Sequence, residues 1–245
     1  MLAAPEIRHN LETIEGRITA ACQRAGRQRS DVRLLLATKT VVPENIKIAF
    51  DAGYYLMGEN KVQEIKEKFE LLKDVPHETH FIGHLQSNKI KDILRYNVSC
   101  IQSVDRISLA EKLQKRLEFE NKTINVLVQV NTSNEESKFG IAPEKAAELV
   151  RSVAAFSNIK IKGLMTIGLF DPDAEKTRPC FRLLKAISEE IKAMNIPGIQ
   201  MEELSMGMSG DLETAIEEGA TIVRVGTSVF GKRMHPGSYY WNENK

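Results

Sequence analysis

The sequence predicts one (β/α)8 barrel, with an extra helix about 5–26 at its N-terminus. Two observations carry this reading. Short apolar runs alternate with amphipathic stretches from residue 32 to residue 225, and no Gly- or Pro-rich linker interrupts them, so all 245 residues read as a single domain. The alternation also yields eight strand-like runs, the number that closes a parallel sheet on itself. A doubly wound open sheet is the alternative that alternation alone would allow.

The extra helix is read from Ile7, Leu11, Ile14 and Ile18, whose spacing of four, three and four forms one apolar stripe, with Gly26 as its stop. Val32 to Thr38 is nearly all apolar, as a strand buried on both faces must be. A helix opened by Pro43, a strand near Tyr55 to Met57, a helix through Val62 to Leu72 and a strand at His80 to Ile82 follow. Next come a helix around Asn88 to Arg95, a strand at Val98 to Gln102, a helix from Asp105 to Phe119 and the strand Ile124 to Val130. The second half runs helix Pro143 to Phe156, strand Ile159 to Met165, helix Ala174 to Met194, strand Gln200 to Leu204, helix Leu212 to Glu218 and strand Ile222 to Val225.

Bulk composition narrows the partners. Lys and Arg number 34 against 33 Asp and Glu, so no net charge favours a nucleic acid or an acidic membrane, and no apolar run at the N-terminus suits a secretory signal. Cys22, Cys100 and Cys180 are odd in number and far apart, which suits a reducing, cytoplasmic setting better than disulfides or a metal site. His80 and His84 bracket a strand end and share no helical face, so they are not a zinc pair.

A barrel gathers the polar residues that follow its strands at one mouth. Lys39 comes after Leu34, Leu35, Leu36 and Ala37. Apolar walls would desolvate its ammonium and free the amine to attack a carbonyl; a lysine turned into water is the plain alternative. Ser205 to Asp211 and Gly226 to Ser228 are small-residue loops after strands seven and eight, where barrels cradle phosphate; an ordinary turn capped by Ser209 or Asp211 is the alternative. Arg224 interrupts an apolar strand and needs a partner, either a ligand acceptor or an acidic neighbour such as Glu59, the salt bridge being the expectation from the residues.

Ala37-Thr38-Lys39-Thr40, Gly58-Glu59-Asn60, His80-Phe81-Ile82-Gly83-His84-Leu85-Gln86, Gly163-Leu164-Met165-Thr166, Ser205-Met206-Gly207-Met208-Ser209 and Arg224-Val225-Gly226-Thr227 together resemble the pyridoxal phosphate homeostasis protein family. The resemblance implies a barrel like the N-terminal domain of alanine racemase, of fold type III, with pyridoxal 5′-phosphate held as a Schiff base on Lys39. It implies further that Ser205, Ser209, Gly226 and Thr227 surround the phosphate and that Arg224 points at the pyridine nitrogen. Asn60, His84 and Met165 would line the ring and its hydroxyl.

A cation at that nitrogen opposes its protonation and weakens the ring as an electron sink. The expected protein is therefore a monomeric carrier that hands the cofactor to apoenzymes and has no robust catalysis. A racemase or decarboxylase and a sugar-imine aldolase are the enzymatic alternatives, and a scaffold is disfavoured by the polar mouth. The Tyr239, Tyr240, Trp241 cluster reads as a lid, a plug or a partner surface.

Overall fold

A computed structural model describes residues 2–231; the Tyr239 to Trp241 cluster lies outside them. Eight parallel strands close a barrel in chain order: β1 (Arg33–Ala37), β2 (Leu56–Glu59), β3 (Glu78–Phe81), β4 (Val98–Val104), β5 (Ile124–Gln129), β6 (Ile159–Met165), β7 (Glu203–Ser205) and β8 (Ile222–Val225). Closure is a ladder between β1 and β8 that aligns Arg33 with Ile222 and Leu36 with Val225.

The helices are α1 (Ala4–Arg24), α2 (Pro43–Asp51), α3 (Val62–Leu72), α4 (Ile90–Arg95), α5 (Ile107–Glu120), α6 (Ala146–Ala154), α7 (Arg178–Ala193), α8 (Leu212–Glu217) and α9 (Thr227–Phe230). Short 3-10 turns at Ser87–Lys89, Pro143–Lys145 and Ala174–Lys176 precede α4, α6 and α7, where the sequence pattern had suggested continuous helices. No described helix is long and apolar enough to cross a membrane.

Strand side chains alternate across the barrel wall, and that period of two sorts everything at the mouth. Leu34, Leu36, Val223 and Val225 face outward into the main core between sheet and helices. Leu35 and Ile222 face inward, as do Cys100, Leu127 and Met165, filling the barrel with two small apolar clusters. By the same parity Lys39 and Arg224 belong to the inner face, and Thr38 and Glu59 to the outer.

α1 docks its predicted stripe of Ile7, Leu11, Ile14 and Ile18, all fully buried, against α2, α8 and α9. Burying each of these side chains contributes roughly 1.5–3 kcal/mol, which fixes the helix to the barrel flank. Gly26, at φ +64°, turns the chain just past the helix end.

Candidate functional site

Lys39 follows β1 and lines a cavity of about 430 Å³ together with Ser209, Gly210, Arg224, Gly226 and Thr227. The lysine, both small-residue loops and the arginine thus share one opening. Ala37, Val41, Val42 and Phe230 supply apolar wall beside the polar groups.

The backbone around Lys39 is held on both sides. The Thr38 N–H donates to the Gly58 carbonyl at 3.0 Å, and the Thr38 carbonyl accepts from Lys68 Nζ at 2.7 Å. On the far side Thr40 sits at φ +63°, a strained conformation for a β-branched residue that costs on the order of 1–3 kcal/mol. Lys68 Nζ also pairs with Glu59 Oε1 at 2.7 Å, and the Thr38 hydroxyl donates to the same oxygen at 2.6 Å. Glu59 is wholly buried; burial pushes its carboxyl above the ordinary range, and Lys68 pulls it back.

This arrangement corrects the expected Arg224–Glu59 salt bridge. The two residues lie on opposite faces of the barrel wall, and Glu59 is met there by Lys68 from α3. Arg224 instead donates from Nη1 to Ser205 Oγ and from Nη2 to the Thr166 carbonyl, each at 2.8 Å. Burial pushes its guanidinium down to about 10, so it remains cationic at neutral pH.

Ser205, at the end of β7, lies deeper than Ser209. It is absent from the described lining of the cavity; its hydroxyl is fully buried between Arg224 and Gln102, whose Oε1 it reaches at 2.6 Å. Met165 packs in the barrel interior with Cys100 and Leu127. Asn60 and His84 line a second cavity of about 750 Å³ after β2 and β3. There His84 stacks on Phe139, ring centroids 3.8 Å apart, a partner that residue order alone does not reveal, and its Nδ1 lies 3.5 Å from Asp105 Oδ2.

The loop after β7 is shaped for close approach. Gly207 has φ +89°, and a Cβ there would come within 2.4 Å of Ala215. The Arg224 N–H ties the Gly207 carbonyl to β8 at 3.0 Å, and the Met208 N–H closes the turn on Asp211 Oδ1 at 2.6 Å. Burial raises the Asp211 carboxyl from its ordinary value, and the Met208 amide and Arg224 pull it back.

α1 braces both loops from behind. Arg17 Nη2 donates to the Ser209 carbonyl at 3.0 Å while Arg17 forms a two-point ion pair with Glu213, and Asn10 Nδ2 donates to the Val229 carbonyl at 3.0 Å. Arg17→Ala should therefore weaken inorganic phosphate binding about fivefold, roughly 1 kcal/mol of lost preorganisation, measured by calorimetry. Its cost to stability should stay below about 1 kcal/mol, because the pair is partly exposed.

At the other end of the barrel interior, Glu78 accepts from His80 Nε2 at 2.7 Å and from Arg33. These partners hold its carboxyl at about 2 against an ordinary 4.5. The folded value is the lower one, so the stability Glu78 lends is present above 4.5 and lost as pH falls from there toward about 2. Glu78→Gln should flatten acid unfolding across that window, followed by circular dichroism.

The alanine racemase N-terminal domain family model matches residues 6–234. A pyridoxal phosphate homeostasis protein of Aquifex aeolicus is 44% identical over 225 residues, which cover 92% of this chain and 97% of that one. The solved structure of PipY from Synechococcus elongatus with PLP bound superposes at TM-score 0.80 with 30% identity, covering 92% of this chain and 100% of that chain. An alanine racemase from Clostridium difficile shares the fold, with TM-score 0.75 at 14% identity over 94% of this chain and 58% of its own. The chain belongs to the pyridoxal phosphate homeostasis protein family, built on the barrel of the alanine racemase N-terminal domain.

Proposed function

We propose that this protein binds pyridoxal 5′-phosphate covalently through Lys39 and serves to hold and release it, without robust catalysis. The single observation that carries the reading is the convergence of Lys39, Arg224 and two small-residue loops on one cavity. An amine, a guanidinium and hydroxyl-bearing loops match, in one molecule, an aldehyde, a ring nitrogen and a phosphate. The PLP-bound PipY relative supports the same reading.

When bound, the cofactor supplies an aldehyde that condenses with an amine and a ring that can drain electrons. In this chain Lys39 would carry the covalent bond, and Ser209, Gly226 and Thr227 would hold the phosphate. Arg224, cationic and fixed by the barrel wall, would keep the ring nitrogen unprotonated and so blunt the electron sink. Ser205 would act on the site through Arg224, while Asn60 and His84, which line the second cavity, and Met165, in the barrel interior, fall outside the described lining of the Lys39 cavity.

Among the described lining residues the titratable side chains are Lys39, Asp171, Asp211 and Arg224. Of the two carboxylates, Asp211 accepts from the Met208 amide and Asp171 from the Asp173 amide and Lys176, so both are already engaged where a racemase needs a second proton carrier. The three cysteines are buried and unpaired, in keeping with a cytoplasmic setting, where we read the protein as a monomer that supplies apoenzymes.

The test is to load the purified protein with pyridoxal 5′-phosphate, record its visible spectrum, reduce with borohydride and map the adduct by peptide mass spectrometry. A visible band and a reduced adduct on Lys39 are expected. An adduct on another lysine, or none, overturns the site, and amino-acid turnover on the order of 1 per second or faster overturns the carrier reading.

A further inference from the structure

Arg224 stands at one end of a line of hydrogen bonds that runs through the barrel interior. Arg224 Nη1 meets Ser205 Oγ at 2.8 Å, Ser205 meets Gln102 Oε1 at 2.6 Å, Gln102 Nε2 meets His80 Nδ1 at 2.7 Å, and His80 Nε2 meets Glu78 Oε1 at 2.7 Å. These residues come from β8, β7, β4 and β3, all on the inner face of the wall. Arg224, Ser205, Gln102 and His80 are buried to 6%, 0%, 0% and 1% exposure, and the line comes toward solvent at Glu78, whose side chain is 38% exposed.

The direction of every hydrogen follows from the two ends. A guanidinium can only donate and a carboxylate can only accept. Arg224 must donate to Ser205, which leaves the one Ser205 hydrogen for Gln102 Oε1. The Gln102 amide is thereby turned so that its nitrogen donates to His80 Nδ1. His80 then carries its hydrogen on Nε2 and gives it to Glu78, whose other oxygen takes Arg33. A second proton on His80 would force the Gln102 amide over and leave the Ser205 hydrogen without an acceptor in a dry interior.

We propose that His80, Gln102 and Ser205 are positioning residues: a one-directional hydrogen-bond relay that fixes Arg224 toward the ligand cavity and couples it to the Glu78–Arg33 pair at the opposite end of the barrel. The part that concerns the bound cofactor rests on the function proposed above; the relay itself does not. The coupling is reciprocal, so what engages Arg224 is felt at His80 and the reverse. The charged and titratable groups facing His80 in this line are Glu78 on its own strand, Arg33 from β1 through that carboxylate, and Arg224 from β8 through Ser205 and Gln102. Glu203 of β7 stands behind Arg33 at 3.8 Å.

Two readouts test the relay. In the protein without cofactor, ¹⁵N spectra of the imidazole should show His80 neutral with its hydrogen on Nε2. Arg224→Leu, three hydrogen bonds away, should shift those resonances, and so should Ser205→Ala, whereas Ser205→Thr, which keeps the hydroxyl, should leave them near the wild-type positions. In the loaded protein, Gln102→Leu and Ser205→Ala should move the pH titration of the visible band by about one unit, the scale of one charge-assisted hydrogen bond. Ser205→Thr should not. Val126→Ala, a packing loss in the outer core, should lower stability and leave the band in place.

A hydrogen on His80 Nδ1, or imidazole resonances unmoved by Arg224→Leu, overturns the relay. A band unmoved in the folded Gln102→Leu and Ser205→Ala proteins overturns its effect on the site. If wild type takes up no cofactor, the functional reading fails by itself while the imidazole spectra still decide the relay.

Discussion

Lys39→Ala should give a protein that folds as wild type does, takes up pyridoxal 5′-phosphate without colour and yields no borohydride-stable adduct. The effect is all or none, because Lys39 is the only lysine lining the described cavity that holds both small-residue loops. Stability should change little, since Lys39 is only partly buried and the buried pair nearby uses Lys68. Phosphate-side binding should survive: Ser209, Gly226 and Thr227 are positioned by α1, by β8 and by the Met208–Asp211 turn, none of which depends on the lysine. Calorimetry with inorganic phosphate on both proteins checks this. An equal loss of phosphate affinity and colour would mean that Lys39 is part of the anion site and not the covalent one.

Much of this was legible from residue order. The alternating pattern gave all eight strands, and β6, β8 and α3 begin and end where the periodicity places them. α9 was not, because four residues are too few for a helical stripe to show. What sequence could not resolve is which face of the wall each mouth residue takes. Ser205 and Ser209 read alike as small hydroxyl residues near a phosphate loop; only the closed barrel turns Ser205 inward onto Gln102 and leaves Ser209 at the opening. Glu59 and Arg224 looked like natural partners for the same reason, until strand parity separated them. Lys68 was hidden in the charged run Glu64, Lys66, Glu67, Lys68, which reads as a solvated helix face. The helix turns that one lysine inward, and its head reaches the carboxylate beneath Lys39.

Lys68→Ala should cost about 3–5 kcal/mol in urea unfolding, because it leaves the Glu59 carboxylate buried without its cation and the Thr38 carbonyl without its donor. The pH dependence has a definite sign. Burial already raises the folded Glu59 carboxyl above 4.5, and removing Lys68 raises it further. A raised carboxyl favours the folded state most below the unfolded value of 4.5 and loses that advantage as pH rises through the folded value. Wild type reaches that point at about 7 and Lys68→Ala later, so the deficit of the variant against wild type should widen as pH rises above about 7. The double variant Lys68→Met with Glu59→Gln should recover most of the lost stability, since an uncharged pair removes the desolvation problem on both sides. It should not restore the site. Lys68→Ala should also slow the covalent capture of pyridoxal 5′-phosphate in stopped-flow absorbance, because the Thr38 carbonyl next to Lys39 and the strained Thr40 loses the Lys68 ammonium. The double variant, which lacks the same ammonium, should stay as slow. Wild-type capture rates in the restored protein would show instead that the buried pair serves stability alone.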